Sequence, residues 1–309
     1  MFKIYNLIVS NLFILLFIFK RFFKKDNYLN FEVIIFSYNR PLQLDSLLAS
    51  LIKLFDKNIN LNILYKYDKH NIGKGYKKLI ADHIWNKNIK FIKENLSFKH
   101  SLVKITKNIK NKNDKNNTNI LFFVDDQILF REIKLDSLIK LSRYSPISTL
   151  RIGLNTRWSF NLNKKQSLES YKYKEYEGCL VWSPKFKDDE ISYVFSFDGS
   201  TIPLDLFDKF SKYLFFKGPN SLETSMNYGS IIYKIFKQKI SCLKKQSIVN
   251  IVISMVQTET INRGKFIDIN KLMELFEDNC KLTLDYKKIN SFNSPHIDYG
   301  YYFKKINKY

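Results

Sequence analysis

The sequence predicts an α/β protein with a Rossmann-like, mostly parallel sheet flanked by helices. Short apolar runs alternate with longer stretches whose apolar residues recur at helical spacing. The first four runs lie at residues 31–37, 62–67, 90–93 and 120–124. Three helical segments separate them, and this order with short connections is typical of a parallel sheet. The fourth run ends at two adjacent carboxylates, Asp125 and Asp126.

Length and charge limit the possible classes of protein. A chain of 309 residues suffices for one large domain with appendages or for two small domains. The net charge is +22, from 51 basic and 29 acidic residues. The basic residues are mostly lysines spread through every segment. This pattern indicates a solvated surface that also favours anionic membranes or nucleotide phosphates, and we expect no nucleic-acid partner.

Cysteine and histidine usage argues against two further kinds of site. Cys179, Cys242 and Cys280 lie far apart without a CxxC pair, and their odd number argues against a disulfide framework. A reducing compartment is therefore expected. The four histidines, among them His83 and His296, show neither HxxxH nor HExxH spacing, so a zinc enzyme is not predicted.

Residues 4–19 form an apolar stretch that is interrupted by Asn6, Ser10 and Asn11. The stretch is short for a membrane span, which needs about 20 predominantly apolar residues. Its main basic residues follow it and no small-residue cleavage site is present, so a cleaved signal peptide is not expected. Three alternatives remain open. They are a span that keeps the following domain in the cytoplasm, an interfacial anchor on anionic lipid, and a helix packed on the domain.

The second half of the chain predicts shorter and more mixed elements. Apolar runs rich in β-branched and aromatic residues predict strands, and the polar tract at residues 110–118 predicts a loop. The predicted strands are 148–154, 178–182, 193–197 and 247–256, and the predicted helices are 133–141, 220–236 and 267–276. Asn250 would interrupt a buried strand face unless it has a hydrogen-bonding partner.

Carboxylates follow several predicted strands. Asp68 follows the second run, Asp125 and Asp126 follow the fourth, and Asp198 follows the run at 193–197. The carboxyl ends of strands form the edge at which open α/β sheets bind ligands. Paired acidic groups there favour a hard divalent cation held together with phosphates. The alternative for Asp125 and Asp126 is a strand that ends in a polar turn.

Five segments resemble, in their order and spacing, the family-2-like glycosyltransferases of the GT-A fold. They are VIIFSYNRPLQLDSLLASL (33–51), VDDQI (124–128), YVFSFDGSTI (193–202), FKGPNSLE (216–223) and QSIVNIVISMVQ (246–257). The last three resemble a bacterial subgroup, and the resemblance spans residues 31–275. It implies a GT-A sheet with a nucleotide-binding first half and a mixed acceptor-side second half.

The resemblance also implies roles for individual residues. Asp68 lies where the family has an acidic residue that contacts the nucleotide base. Tyr38 and Arg40, in the turn after the first run, are expected to bind the nucleotide sugar as well. VDDQI looks like the DxD motif, which implies that Asp125 contacts the nucleotide sugar and that Asp126 and Gln127 hold Mn²⁺ or Mg²⁺. Many members are acidic where this chain has Gln127. An amide oxygen binds a cation without adding charge, so either Asp126 takes the metal or metal dependence is weak.

Three residues of the second half are further site candidates. Arg151 is either a bidentate phosphate ligand of the nucleotide sugar or a surface side chain. Glu223 lies where the family places its catalytic base, at a helix start well after the DxD motif, and Asp198 is the second candidate for that role. The alternative for Glu223 is structural, because Asn220 as helix cap would put Glu223 in a capping box.

The sequence as a whole predicts a glycosyltransferase that moves a sugar from a nucleotide diphosphate to a hydroxyl of a glycan or a lipid-linked acceptor, in cell-surface polysaccharide synthesis at the cytoplasmic face of a membrane. We expect a membrane-associating segment at 1–26, a GT-A domain at 27–280 with halves at 27–130 and 131–280, and a basic aromatic tail at 281–309. Two rival functions remain. One is a nucleotidyltransferase, and the other is a catalytically inactive basic protein of the same fold that binds membranes or polyanions.

Overall fold

A computed structural model describes residues 1–23, 28–114, 117–256, 263–264 and 266–306. The chain forms an α/β fold around a nine-stranded mixed sheet with a parallel N-terminal core, which confirms the predicted fold class. Gln257 and Asn262, which follow the predicted strand at 247–256, lie outside the described residues, as do residues 24–26 of the predicted membrane segment.

The N-terminal half alternates strands and helices as the sequence predicts. Its elements are α1 (Phe2–Phe23), β1 (Asn30–Tyr38), α2 (Pro41–Leu54), β2 (Asn60–Lys66), α3 (His70–His83), β3 (Ile89–Lys93), α4 (Phe98–Lys112), β4 (Thr118–Val124) and β5 (Gln127–Leu129). β1 is buried along almost its whole length and pairs in parallel with both β2 and β4. The predicted loop at 110–118 is shorter than expected, because α4 continues to Lys112 and β4 begins at Thr118.

The C-terminal half consists of shorter elements. They are α5 (Leu135–Tyr144), β6 (Ile147–Thr149), β7 (Trp158–Ser159), β8 (Lys164–Lys165), β9 (Lys174–Tyr176), β10 (Cys179–Trp182), β11 (Ser200–Pro203), α6 (Leu204–Tyr213), α7 (Pro219–Asn227), α8 (Ser230–Ile235), β12 (Ile240–Leu243), β13 (Ile248–Ile251), α9 (Ile269–Glu277), β14 (Cys280–Leu284), β15 (His296–Ile297) and β16 (Tyr301–Lys305). Short 3₁₀ helices lie at Leu168–Tyr171, Glu190–Ser192 and Tyr286–Ser291.

The strand order of the large sheet is β3-β2-β1-β4-β11-β6-β12-β10-β9. The first four strands are parallel, β11 is antiparallel to both β4 and β6, β12 is parallel to β6, and β10 is antiparallel to its two neighbours. Alternate residues of β1 and β4 point into separate apolar clusters on the two faces, with Val33 and Ile35 on one face and Ile34 and Phe36 on the other. Both faces are therefore covered, as expected for a buried parallel core.

The predicted strand at residues 193–197 is wrong. The segment has buried side chains at Val194, Phe195 and Phe197. Its backbone groups, however, form hydrogen bonds with side chains of α7 and not with a neighbouring strand. Asn227 binds the N–H and the carbonyl of Phe195, and Glu223 accepts a hydrogen bond from the Phe197 N–H at 2.7 Å. The strand begins only at Ser200, so Asp198 precedes a strand instead of ending one.

Two other predicted strands are shorter than the apolar runs that suggested them. The run at 148–154 leaves the sheet after Thr149, because the Leu150 N–H bonds to Gly199 and the backbone turns at Gly153 against residues 245–246. The run at 247–256 pairs only over β13, which joins β15 and β5 in a three-stranded sheet. Burial of an apolar run therefore does not by itself make that run a strand.

The predicted helix at 220–236 is divided into α7 and α8. The break falls at Gly229, where an added Cβ would meet Ile14 Cγ1 at 2.8 Å and the Ser10 carbonyl at 2.9 Å. Gly218, not Asn220, precedes the first turn of α7, and Ser221 Oγ accepts the Gly218 N–H at 3.1 Å. Glu223 thus has no part in the capping box that the sequence suggested.

Residues 281–305 belong to the same folded body as the sheet. β14 and β16 pair with each other, β14 packs on α2, and β15 extends the three-stranded sheet. Leu282, Leu284 and Ile297 lie in the larger apolar cluster. The division of the chain at residue 280 stays a prediction, but the described part of this segment is packed into the core.

Candidate active site

The direction of the strands gathers the acidic residues at one edge of the sheet. β1, β2 and β4 are parallel, so their carboxyl ends lie together, with Asp68 following β2 and Asp125 following β4. β11 is antiparallel to β4, and its amino end therefore lies at the same edge. Asp198, two residues before β11, reaches the Asp125–Asp126 turn from the opposite direction.

Both side-chain oxygens of Asp125 have partners within the protein. Its Oδ2 accepts a hydrogen bond from the Tyr38 N–H at 3.0 Å, and its Oδ1 lies 3.1 Å from Arg40 Nη1. Both side chains are buried. Burial raises the pKa of Asp125 to about 6, although Arg40 opposes the rise. With both oxygens partnered and little exposure, Asp125 is suited to fixing the turn and the Arg40 guanidinium.

Asp126 is more open than Asp125. Its Oδ2 lies 3.1 Å from Arg40 Nη1, its Oδ1 accepts from Asn250 Nδ2 at 3.0 Å, and its side chain is 20% exposed. Burial also raises the pKa of Asp126. Gln127 is fully buried, and its amide accepts from the Val124 N–H and donates to Asn250. The oxygen expected to bind a metal is thus already engaged within the turn.

Tyr38 joins Asp68 to this centre. Its hydroxyl donates a short hydrogen bond to Asp68 Oδ2, while its N–H binds Asp125. The bond to Asp68, with burial, raises the pKa of Tyr38 to about 12. Asn39 has a φ of +58° and pairs with Asp68 through both its side-chain oxygen and nitrogen. Asp68 itself is exposed, so it is available to an incoming ligand.

Asp198 lies among cations. Arg151 Nη1 is 3.5 Å from its Oδ2, His296 Nε2 is 3.6 Å from the same oxygen, and Asn250 Nδ2 donates to its Oδ1 at 3.2 Å. Burial would raise the pKa of Asp198, but His296 and Arg151 outweigh burial and hold it below its ordinary value. Arg151 is buried, so its surface alternative is wrong.

Glu223 has the opposite environment. It lies in the first half of α7, partly buried, and its Oε2 accepts the Phe197 N–H at 2.7 Å. Burial and the nearby charge of Asp198 raise the pKa of Glu223 to about 7, although the Phe197 N–H and Arg151 oppose the rise. The two candidate bases therefore differ sharply in basicity.

Three residues of the site were not among the sequence candidates. Glu190 is buried and lies 3.5 Å from His296 Nδ1 and 3.9 Å from Arg151 Nη1. The two carboxylates around His296 raise its pKa to about 10 despite the opposing effect of burial. Asn250 links Gln127, Asp126 and Asp198. Only Asn250 carried a sequence signal, as a polar residue within an apolar run, and the structure confirms that it has partners.

The predicted divalent cation requires oxygen ligands and nearby negative charge. Within the described residues, no group of three or more His, Cys, Asp or Glu side chains is arranged to hold a metal ion. Two partly exposed carboxylates, Asp126 and Asp198, do converge on Asn250. In the described cluster five carboxylates face three cations: Asp125, Asp126, Glu190, Asp198 and Glu223 against Arg40, Arg151 and His296. Mg²⁺ and Mn²⁺ are commonly held by one or two carboxylates together with substrate phosphates, so Asp126 and Asp198 are the residues that would hold such an ion.

The chain is structurally similar to GT-A glycosyltransferases at low sequence identity. Staphylococcus aureus TarS has a TM-score of 0.45 and 14% identity over 71% of this chain, which spans 36% of TarS. GalNAc-T7 with UDP, GalNAc and Mn²⁺ has a TM-score of 0.46 and 8% identity, with 81% and 50% of the two chains covered. The Pyrobaculum calidifontis mannosyltransferase PcManGT with GDP-Man and Mn²⁺ has a TM-score of 0.30 and 11% identity, with 53% and 55% covered.

These likenesses concern the general architecture and assign no substrate or residue role to this chain. No protein-family model matches the sequence, and no curated protein matches it either.

Proposed function

We propose that the protein is a glycosyltransferase that moves a sugar from a nucleotide diphosphate to a hydroxyl of a glycan or lipid-linked acceptor. The observation that carries this proposal is geometric: at the carboxyl edge of the sheet, Asp198 and Glu223 from the C-terminal half lie beside the Asp125–Asp126 turn and Arg40. Asp198 is held ionised and Glu223 has a pKa near neutrality. Pairs of acidic groups whose environments separate their pKa values are typical of acid–base sites.

Glu223 is the proposed general base. A base that works near neutral pH needs a pKa close to that pH, so that it is ionised and still attracts a proton. In transfer, the acceptor hydroxyl attacks the anomeric carbon, its proton goes to Glu223, and the bond to the diphosphate oxygen breaks. Asp198, with its lowered pKa, is the weaker base and is better suited to fixing cations and the acceptor.

The turn after β1 and the turn after β4 form the proposed donor side. Asp68 and Tyr38 would face the base of the nucleotide, and Arg40 would present a fixed positive charge near the diphosphate. Arg40 is held by Asp125, by Asp126 and by the Ser254 carbonyl, so its position is set before a ligand arrives. Such fixed charges stabilise a leaving group without having to reorganise.

A divalent cation is part of the proposal, with Asp126 and Asp198 as the residues that would hold it. When bound, it would supply positive charge to the departing diphosphate. Gln127 would act only indirectly, because its amide bonds to Val124 and Asn250 and so orients Asn250 between the two carboxylates. Removing that amide would loosen the turn and leave the metal oxygens themselves in place.

A membrane location at the cytoplasmic face is the last part of the proposal. α1 is long and apolar enough to cross a membrane by length and composition, a weak criterion that a signal sequence or a core helix also meets. The Lys-rich composition would favour an anionic leaflet. A lipid-linked acceptor would then diffuse in the same surface as the enzyme.

Calorimetric titration of the whole chain with UDP, GDP and CMP, each with and without Mn²⁺, tests the donor side. We expect one nucleotide to bind, Mn²⁺ to strengthen binding by about tenfold or more, and Asp126→Asn to abolish that gain. Asp136→Asn, at an exposed carboxylate of α5, is the matched control and should retain it.

Other outcomes would replace the proposal. Release of pyrophosphate from a nucleoside triphosphate would indicate a nucleotidyltransferase. Failure of all three nucleotides to bind, together with salt-dependent binding to polyanions, would indicate the inactive basic protein.

A further inference from the structure

Asn6 and Ser10 of α1 face the protein, whereas four of its large apolar residues face outward. Asn6 and Ser10 are buried, and they lie on one stripe with Ile14, Phe17 and Ile18. The opposite stripe contains Ile4, Ile8, Leu12 and Leu16, which are 48–65% exposed. A helix on the surface of a soluble protein has the reverse arrangement. The outward face of α1 is therefore built for an apolar environment.

The docking of α1 on the domain is specific. Asn6 Nδ2 donates to the Phe215 carbonyl at 2.7 Å and to Ser225 Oγ at 2.8 Å, and its Oδ1 accepts the Phe215 N–H at 2.8 Å. Further along, Gly229 allows α8 to approach Ser10 and Ile14 closely. Directed hydrogen bonds and a glycine contact fix α1 lengthwise against α6, α7 and α8.

The outward apolar surface extends beyond α1 onto the domain. Phe215 contacts Phe2 in a tilted and Tyr5 in an edge-to-face arrangement, and Tyr213 lies beside Phe13, with ring centroids 4.5–5.6 Å apart. Phe215 and Tyr213 are themselves about half exposed. We name the four outward residues of α1, together with Tyr213 and Phe215, the α1 face. A contiguous exposed apolar face on a folded domain marks an interaction site.

Charge indicates what covers the α1 face. α1 contains Lys3, Lys20 and Arg21 and no acidic residue, and of these three cations Lys20 is paired with Asp205 of the domain at 2.9 Å. Lys99 lies against the rings of Phe215 and Phe216 at the edge of the face. Aromatic rings and lysines around an apolar stripe match the boundary between acyl chains and anionic headgroups.

We propose that the α1 face lies flat in the surface of an anionic bilayer, with α1 parallel to the membrane and not across it. A crossing helix would have to leave the domain. It would break the three hydrogen bonds of Asn6 and uncover the buried side chains that pack against Ile14 and Phe17. It would also carry Asn6 and Ser10 into hydrocarbon without their partners, which is costly. Lying flat keeps the docking intact and buries only the exposed stripe.

Partitioning of the whole purified chain into vesicles is the first test. We expect binding to phosphatidylcholine–phosphatidylglycerol vesicles, weaker binding to phosphatidylcholine alone, and loss of the difference at high salt. Ile8→Gln with Leu12→Gln should weaken partitioning by at least about tenfold with an unchanged melting temperature. The matched control is Ile84→Gln with Leu96→Gln, which removes two exposed apolar side chains outside α1. Equal losses for the two double variants, or no binding to anionic vesicles, would overturn the proposal.

Depth measurements separate a flat helix from a crossing one. Single variants Ile4→Trp and Leu12→Trp place a fluorophore at two outward positions about 12 Å apart along the helix axis. Quenching by lipids brominated at different carbons, corrected with the wild-type signal, should place both at the same shallow depth. A much deeper Leu12→Trp would show that α1 crosses the bilayer. This proposal rests on the membrane location in the proposed function, but neither result depends on transferase activity, so it and the proposed transfer reaction can fail separately.

Discussion

Two acidic clusters lie on either side of Asn250. They differ in the part of the chain that they come from, in exposure, and in the pKa shifts of their carboxylates. The Asp125–Arg40 cluster comes from the turns after β1 and β4, and the oxygens of Asp125 are partnered and buried. The Asp198–Glu223 cluster comes from the C-terminal half, is partly open, and contains carboxylates with pKa values shifted in opposite directions. The surroundings of each carboxylate therefore set its pKa, which is raised for Asp125 and Glu223 and lowered for Asp198.

The largest effect that this comparison predicts is on turnover. Glu223→Gln keeps the shape of the side chain and its bond to the Phe197 N–H but removes the proton acceptor. We expect transfer to fall by about 10²–10⁴-fold while nucleotide affinity stays within about twofold. Single-turnover assay and calorimetry measure the two quantities. Glu132→Gln, at an exposed site, is the control, and a comparable loss there would remove the distinction.

Asp125→Ala should mainly reduce the stability of the fold, whereas Glu223→Gln should mainly reduce the rate of transfer. Truncation leaves the buried Arg40 guanidinium without the more buried of its two carboxylate partners, and removing one member of a buried ion pair costs about 3–5 kcal/mol of unfolding free energy. Denaturant unfolding of the variant measures this loss. If Asp125→Ala is as stable as the wild type, Asp126 alone suffices to hold Arg40. The contrast in stability between the two clusters would then be lost.

The pH dependence of stability tests His296. Its folded pKa of about 10 lies above the unfolded value of 6.5, so the protonated ring stabilises the fold fully below pH 6.5. That stabilisation is lost as the pH rises through about 10. We expect the melting temperature of the wild type to fall between pH 6.5 and about 10. His296→Gln should be less stable than the wild type by about 3 kcal/mol at pH 6, and its melting temperature should fall little over the same pH range. Parallel curves for the two proteins would contradict the ion pairs.

The pH dependence of transfer tests Glu223 directly. A base must be ionised to accept a proton, so the rate should rise about tenfold per pH unit below pH 7 and level off above it. Stopped assays across pH 5–9, with stability checked at each pH, would measure the profile. A rate that is already flat at pH 5 would transfer the role of base to Asp198, whose pKa is lowered.

The smallest predicted effect lies in the N-terminal half, in the loop that follows β3. Leu96 has a φ of +62° and is 84% exposed, and a left-handed conformation costs a bulky residue about 1–2 kcal/mol. Leu96→Gly removes this strain but gives the unfolded chain more freedom, so the net gain should be about 0.5 kcal/mol. Thermal melting measures the gain, and transfer should not change. Altered transfer would mean that this loop communicates with the site.

The sequence predicted the first cluster better than the second, for a physical reason. Asp125, Asp126 and Arg40 lie at the ends of long, continuous apolar runs, and strand direction then fixes where they meet. In the second cluster Arg151, Glu190, Asp198, Glu223 and His296 come from five separate segments. No local spacing relates those segments, and only tertiary packing brings them together.

Secondary structure follows the same division. The parallel strands of the first half have β-branched, doubly buried runs that periodicity identifies. The error at residues 193–197 arose because Asn227 and Glu223 bind a buried backbone that the apolar pattern assigned to a ladder. A pattern of burial cannot distinguish a strand from a segment held by side chains.

His296 has a consequence for biosynthesis. It is synthesised after Glu190 and Asp198, the two carboxylates that it lies between. While the chain is still emerging from the ribosome, those carboxylates repel each other with one cation fewer between them. The nascent protein therefore completes this cluster only when β15 joins the sheet, so the surroundings of Glu190 and Asp198 depend on completion of the fold.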